Sequence, residues 1–482
     1  MGTTTGRPTR PEDRHGAGGA GEGAPGGGSD GLQAGLKNRH LSMIAIGGVI
    51  GAGLFVGSGA GIAAAGPGIL LSYALTGLLV VLVMRMLGEM AAADPVSGSF
   101  STYADRSLGR WAGFTIGWLY WFFWSVVLAV EATAAAAILT GWVPAVPQWA
   151  WALIVMLVLT GTNLISVGSF GEFEFWFAGI KVLAIVVFIV IGLLAIFGLP
   201  PGDTAVGVSN LTGEGGFLPN GPGAILSGML LVVFSFMGSE IVTLAAAESP
   251  NPVESVRKAV NSVIWRIALF YIGSIFVIVT LLPWDSAAVE KSPYVAVLDS
   301  LDIPYAGTIM DVVVLTAVLS CLNSGLYTAS RMAFSLGERG DAPKSFRKVN
   351  RGGVPATAIW ASVAFGFVAV VFNYVAPDTV FEFLLNSSGA VALFVWLVIC
   401  CSQLRMRRRI EREAPERLTV RMWLYPYLTY ATIALIVFIV GYMLWSPEGR
   451  TMMLLSVLVA ALVVTVALVR EKVRGADAVP RS

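Results

Sequence analysis

Charge is what this chain has least of. Lysine, arginine, aspartate and glutamate make up 13% of its 482 residues, against 56% hydrophobic residues. That is about half the charged share of an ordinary soluble domain, too little to cover so much apolar surface. A soluble enzyme, a secreted disulfide scaffold and a nucleic-acid binder are thereby excluded. The only two histidines, His15 and His40, precede the first apolar segment, so the apolar region holds no histidine metal site. Cysteine is as scarce: Cys321, Cys400 and Cys401 lie in or beside apolar segments and form no disulfide framework. The P-loop pattern is missing, so the chain carries no ATP engine of its own. A net charge of +1 says nothing about partners.

Long apolar runs, in contrast, are plentiful. They fall near 41–63, 68–92, 112–140, 148–167, 173–199, 223–247, 263–283, 306–334, 355–376, 380–404, 422–445 and 449–470. Each is close to the ~20 residues a helix needs to cross a hydrocarbon core. They are continuous rather than alternating, which argues against a β-barrel. The expected fold class is an all-α membrane protein with twelve transmembrane helices. Residues 1–36, rich in Gly, Ala and Pro, read as a disordered tail, and lack the apolar stretch of a signal peptide. If the N-terminus is cytoplasmic, 27 of the 31 basic residues collect on the inner side and only Lys291 and Arg450 on the outer. Positive charge concentrates on the cytoplasmic side of membranes, so both termini are expected there, in a plasma (inner) membrane.

Two segments are interrupted. Segment 1 contains Gly47-Gly48-Val49-Ile50-Gly51-Ala52-Gly53, and segment 6 contains Phe234-Ser235-Phe236-Met237-Gly238-Ser239-Glu240. Glycine permits irregular backbone at both places. The segments lie five apart and so cross in opposite directions, as an inverted repeat of five plus five helices requires. A matched pair of broken helices points to a transporter's central site. Unwinding leaves backbone groups that hydrocarbon cannot satisfy. The N–H groups of Gly51, Ala52 and Gly53, at the start of a half-helix, suit a carboxylate. The carbonyls of Phe234 and Ser235 suit an ammonium group, and Ile50 beside the first break counts among the substrate-binding candidates. Together they describe a site for a zwitterion. The competing reading is that the glycines only let helices pack closely. Phe234 sits where an aromatic gate would, though in a chain with 25 phenylalanines packing alone is the simpler account.

Ionisable residues at membrane depth are functional candidates by default. Lys181 lies about two turns into segment 5 and is a candidate proton carrier, with snorkelling to the inner interface as the alternative. Glu240 follows the segment 6 break, and Glu131 lies deep in segment 3. Each is a candidate proton carrier, Glu131 also a partner for a substrate amine; a structural carboxylate is the alternative for both. Asp311 reads as interfacial. Arg85 and Glu89, four apart on one helix face, are placed to pair near the inner surface. The run Arg405–Arg412 reads mostly as a topology determinant facing anionic lipid.

The stretch Leu36–Phe55, which runs from Leu36-Lys37-Asn38-Arg39-His40 into the glycine-rich break, resembles the opening of the amino acid transporter family of the amino acid/polyamine/organocation superfamily. Pro95-Val96-Ser97-Gly98-Ser99-Phe100, Asn261-Ser262-Val263-Ile264-Trp265-Arg266-Ile267 and Gly340-Asp341-Ala342-Pro343 match it too, so the resemblance spans residues 36 to 470. Within it, Ser239–Ser249, Ser320–Met332 and Arg421–Pro426 look most like the 4-aminobutyrate (GABA) permeases. Ser239 departs from the family's usual threonine or alanine.

The resemblance implies a fold like that of LeuT, with helices 11 and 12 outside a ten-helix core. It implies proton-driven uptake with no cofactor. It raises Phe234 to a gate, supports Lys181 and Glu240 as proton-linked groups, and directs attention to Cys321 as a substrate contact, a residue that composition alone makes a small buried hydrophobe. The expected layout is a tail (1–36), a transport core (37–404), a basic cytoplasmic loop (405–421), helices 11 and 12 (422–470) and a cytoplasmic tail (471–482). The expected activity is import of a small amino acid with protons, GABA foremost, by a monomer or weak homodimer. A permease for asparagine, proline or another neutral amino acid, or an amino acid exchanger, is the alternative. A membrane enzyme is disfavoured, since no carboxylate pair stands at catalytic spacing.

Overall fold

The computed structural model describes residues 1–2, 43, 50–96, 99–165, 167–199, 207–213, 215–241, 251–350 and 353–477. Most of the expected N-terminal tail, Gly47–Val49 of the first break, Ser97 and Gly98 of the 2–3 motif, the stretch 242–250 after the second break and residues 478–482 lie outside the described residues.

Every regular element among the described residues is a helix, with no strand among them. Two short helices, α1 (Ala52–Phe55) and α2 (Gly57–Ala65), lead through a Gly66–Gly68 turn into α3 (Ile69–Ala93). Next come α4 (Ser99–Leu108), α5 (Arg110–Trp142), α6 (Gln148–Ile165), α7 (Val167–Ile196) and α8 (Gly223–Phe236). The helix α9 (Pro252–Arg266) continues through a π-helical stretch, Ile267–Gly273, into α10 (Ser274–Leu281). Short helices α11 (Ala287–Lys291) and α12 (Pro293–Ser300) precede α13 (Ala306–Glu338), α14 (Ala356–Val375), α15 (Pro377–Glu413), α16 (Tyr427–Trp445) and α17 (Pro447–Asp477).

Among the described residues, ten helical stretches are long and apolar enough to cross a membrane. One of them, Ala52–Ala93, takes in α1, α2 and α3; Gly223–Phe236 is a shorter apolar helix. The hydrophobic pattern dictates these elements, and proline and glycine punctuate them. Pro252, Pro293 and Pro377 each stand in the first turn, where a missing N–H costs nothing. Gly66 ends α2 at a φ of +60°, and a Cβ there would stand 2.5 Å from Pro219. Only glycine fits that turn.

The helix α5 is the hub. It packs against α4, α6, α13, α14, α15 and α17, and 78% of its apolar window is buried. The windows of α6, α16 and α17 are only 22–28% buried, so these three helices leave broad apolar faces outward, as lipid-facing helices do. The broken segments sit against this hub: α1 and α2 pack on α8, and α1 also touches α5 and α13.

Two expected boundaries move. The helix α15 runs to Glu413, so most of the basic run belongs to a helix rather than a loop. Arg407–Glu411 and Arg409–Glu413 pairs, each four residues apart at 2.8 Å, support the extra turns. At the other end α17 runs to Asp477, into the segment expected to be a tail.

Candidate functional site

Gly51 is extended, and α1 starts at the next residue. A Cβ on Gly51 would stand 2.6 Å from both Cys321 Cβ and Glu131 Oε1, and 2.7 Å from Cys321 Sγ. The absence of a side chain is what lets α5 and α13 close on the break. The N–H of Ala52 donates to both carboxylate oxygens of Glu131, at 3.2 and 3.1 Å. Glu131 comes from mid-α5 and is 1% exposed. Thus the break does gather a carboxylate, as its amides and helix dipole favour. The group at the amide is the protein's own, where the sequence suggested a substrate carboxylate and placed Glu131 near an amine.

The second break lies slightly beyond its expected start. The helix α8 continues through Phe236; Met237 leaves it at a ψ of 140°, and Gly238 takes a φ of +103° beneath Trp124. The Met237 N–H donates to the carbonyls of Val233 and Phe234, each at 3.2 Å. The Tyr271 hydroxyl donates to the Ser235 carbonyl at 3.0 Å. Each carbonyl keeps a second lone pair, so these bonds leave room for an ammonium. Ser239, the departure noted in the sequence, donates its hydroxyl to the Phe236 carbonyl at 2.9 Å and helps finish the helix. The two breaks touch each other: a Cβ on Gly53 would stand 2.9 Å from Phe234 Cδ1 and 2.9 Å from Ser235 Cα. Phe234 is buried, with its ring centroid 6.1 Å from that of Phe123.

Lys181 does not snorkel. It is fully buried, and its Nζ donates to the Ile50 carbonyl at 3.0 Å and to Ser320 Oγ at 2.9 Å. Ser320 in turn donates to the Glu174 carboxylate, 2.9 and 2.8 Å from its two oxygens. Glu240 stands apart from this group. Its Oε1 accepts from the Gly238 N–H at 3.1 Å, and its carboxyl lies beside Tyr120 of α5. The structure therefore brings Ile50, Gly51, Ala52, Gly53, Glu131, Lys181, Phe234, Ser235 and Cys321 into one buried cluster, while Glu240 turns back onto the Gly238 amide of the second break.

Three members of this neighbourhood escaped the sequence reading. Glu174 and Lys181 are seven apart on α7, two turns on one helix face, and that spacing was a legible signal. Ser320 precedes Cys321, but a lone serine in an apolar run carries no signal. Tyr271 belongs to the π-helical stretch, a local widening common at functional sites and invisible in hydropathy. Among the described residues no group of three or more His, Cys, Asp or Glu could hold a metal ion.

The sequence model for amino acid permeases matches residues 40–479. The chain belongs to the amino acid permease family. It is 56% identical to the gamma-aminobutyric acid permease of Bacillus subtilis over 92% of this chain and 94% of that one. The corresponding protein of Escherichia coli K12 is 55% identical over 87% and 90%. An aromatic amino acid transport protein of Corynebacterium glutamicum is 45% identical over 88% and 92%.

At one rim of the permease, the expected Arg85–Glu89 pair is replaced by other partners. Arg85 donates to the Arg421 carbonyl at 2.8 Å and to Asn261 Oδ1 at 3.2 Å, and its guanidinium lies over Trp423. Glu89 is buried toward α15, where Arg407, Gln403 and the Met422 N–H all donate to it. Arg407 is thus a buried ion-pair partner, 7% exposed, rather than a lipid-facing charge. The helix face is set by tertiary burial, which turns Glu89 inward while Arg85 stays at the edge. Asp311 is partly exposed, as an interfacial residue would be.

Proposed function

We propose that this permease imports 4-aminobutyrate across the plasma membrane, driven by the proton gradient without a cofactor. The relatives named as gamma-aminobutyric acid permeases, at 55–56% identity over most of both chains, support the substrate. The observation that carries the mechanism is the junction of the two breaks: Gly53 against Phe234 and Ser235, with Glu131 on Ala52 and Lys181 on Ile50. Two interrupted segments meeting at a buried, polar point are what a transporter needs to bind a zwitterion and then move.

In this cycle the substrate carboxylate takes the Gly51–Gly53 amides and displaces Glu131. Glu131 then faces the substrate ammonium together with the carbonyls near Phe234 and Ser235. Cys321 forms part of the wall and Phe234 closes over the bound molecule. Lys181, Glu131 and Glu240 are the candidate proton carriers. Protonation changes which of the two arrangements is favoured, and the gradient supplies the direction. Twelve spans in two inverted halves of five, with α16 and α17 outside, give this cycle its scaffold. The basic-residue asymmetry supports cytoplasmic termini.

The test is uptake of radiolabelled GABA into proteoliposomes, with and without an inward proton gradient, against unlabelled competitors. Gradient-driven accumulation blocked by GABA, and only weakly by asparagine or proline, is the expected result. Accumulation of another amino acid instead would keep the transporter and overturn the substrate. Trans-stimulated exchange indifferent to the gradient would overturn the coupling.

A further inference from the structure

The proposed cycle gives the carboxylate of Glu174 no task. Glu174 is completely buried on α7, and no apolar helix carries such a group without a partner. Its Oε1 stands 3.8 Å from Lys181 Nζ. A lysine and a carboxylate serving only as mutual counter-ions close to about 2.7–2.9 Å. Here a hydroxyl is placed between them. Ser320 Oγ accepts from Lys181 at 2.9 Å and donates to both Glu174 oxygens at 2.9 and 2.8 Å. A hydroxyl has one hydrogen, and with that hydrogen committed to Glu174 the chain has a single polarity: N–H to O–H to carboxylate. Among the described residues Lys181 also donates to the Ile50 carbonyl, which adjoins Gly51 at the first break. The lysine thus ties α7 to the part of the molecule that has to move. Glu131 from α5 and Cys321 from α13 are further titratable neighbours of Lys181.

The geometry points to Glu174 as the acceptor of the coupled proton, with Ser320 as the relay. The step balances without any other reactant. An N–H bond of Lys181 breaks, its electron pair stays on nitrogen, and the proton binds Ser320 Oγ. The original hydroxyl proton passes to a Glu174 oxygen. Ammonium plus carboxylate become amine plus carboxylic acid, and the total charge of the three groups is unchanged. The neutral amine then holds the Ile50 carbonyl by an ordinary rather than a charge-assisted bond, roughly half as strong. The grip on the first break loosens as the proton leaves. Seven residues of helix put Glu174 about 10 Å nearer the start of α7. That end faces the cytoplasm in the orientation proposed above, so the proton is delivered toward the side where it is released.

This inference rests on the reading of Lys181 as a proton carrier. It is tested in proteoliposomes with wild type, Glu174→Gln, Ser320→Ala and Ser320→Thr. Two quantities are measured on each: accumulation of labelled GABA driven by an inward proton gradient, and counterflow of labelled against unlabelled GABA, which needs no net proton movement. Glu174→Gln and Ser320→Ala are expected to keep counterflow within about twofold and to lose accumulation at least tenfold, while Ser320→Thr, which keeps the hydroxyl, restores it. Accumulation by Glu174→Gln at the wild-type level would overturn the proposal. So would a parallel loss of both quantities, which marks a structural counter-ion. If Glu174→Gln does not fold, the Ser320 pair decides by the same two readouts. Wild-type accumulation indifferent to the gradient would overturn the proton-coupled function and this relay with it. Wild-type dependence with unimpaired variants would overturn the relay alone.

Discussion

Gly53→Ala is the most direct probe of whether the two breaks form one site. The added methyl would sit 2.9 Å from Phe234 Cδ1, 2.9 Å from Ser235 Cα and 3.0 Å from Ser235 Oγ. Ordinary contact begins near 3.4 Å, so the breaks must part by at least about 0.5 Å. Phe234 cannot swing away freely, because it is 5% exposed and packed on Phe123. Ser235 Cα belongs to the backbone of α8 and has no rotamer to change. Overpacking of this kind costs about 1–3 kcal/mol. Expressed as lost transition-state stabilisation, that is a fall of roughly 5- to 150-fold in the uptake rate. The matched control is Gly161→Ala on α6, where a Cβ meets nothing within 4 Å. Initial rates of labelled GABA uptake, normalised to reconstituted protein, give the comparison. Uptake by Gly53→Ala within twofold of the Gly161→Ala control would show that contact between the breaks does not limit transport, and the site would have to lie elsewhere.

Four further outcomes are expected. Glu131→Gln keeps an acceptor for the Ala52 N–H but loses the charge, so GABA binding should weaken at least about tenfold; an unchanged dissociation constant by equilibrium binding counts against its role with the substrate amine. Phe234→Ala opens the cover and leaves a cavity, and preloaded vesicles should leak labelled GABA faster, whereas Phe234→Tyr should hold it; equal leak from both sinks the gate. Tyr271→Phe removes the donor to the Ser235 carbonyl, worth about 0.5–1.5 kcal/mol, and should slow uptake a few-fold with little loss of thermal stability; no slowing detaches the π-helical stretch from the site. Removing one partner of the buried Glu89–Arg407 pair, by Glu89→Gln or Arg407→Met, should cost about 3–5 kcal/mol, with the double variant recovering much of it; additive losses in detergent unfolding would show that the two charges do not depend on each other.

Much of this molecule is legible in its sequence. The helices follow from hydropathy because each must bury its own backbone groups within one segment, a local property that a linear pattern records. The breaks were legible for the same reason: Gly51 and Gly238 stand where regular helix would otherwise be expected. Lys181, Glu131 and Glu240 stood out because charge inside an apolar run is costly and so conspicuous. Relations between distant residues were another matter. Glu89 and Arg85 share a helix face, yet Glu89 pairs with Arg407, 318 residues away in sequence. Helix spacing governs only what is possible on one element.

What the sequence determined by itself is the material: an all-helical membrane chain, the two interrupted segments and the ionisable groups held in its interior. What only the tertiary structure decided is who meets whom. It set Glu131 on the Ala52 amide, Gly53 against Phe234 and Ser235, and Ser320 between Lys181 and Glu174. Hydropathy is a sum over neighbours in sequence, whereas each of these contacts joins helices whose relative rotation is fixed only when the whole bundle packs. Glu174 shows the division most clearly. Its position two turns before Lys181 was written in the chain, but the serine that stands between the two charges comes from another helix.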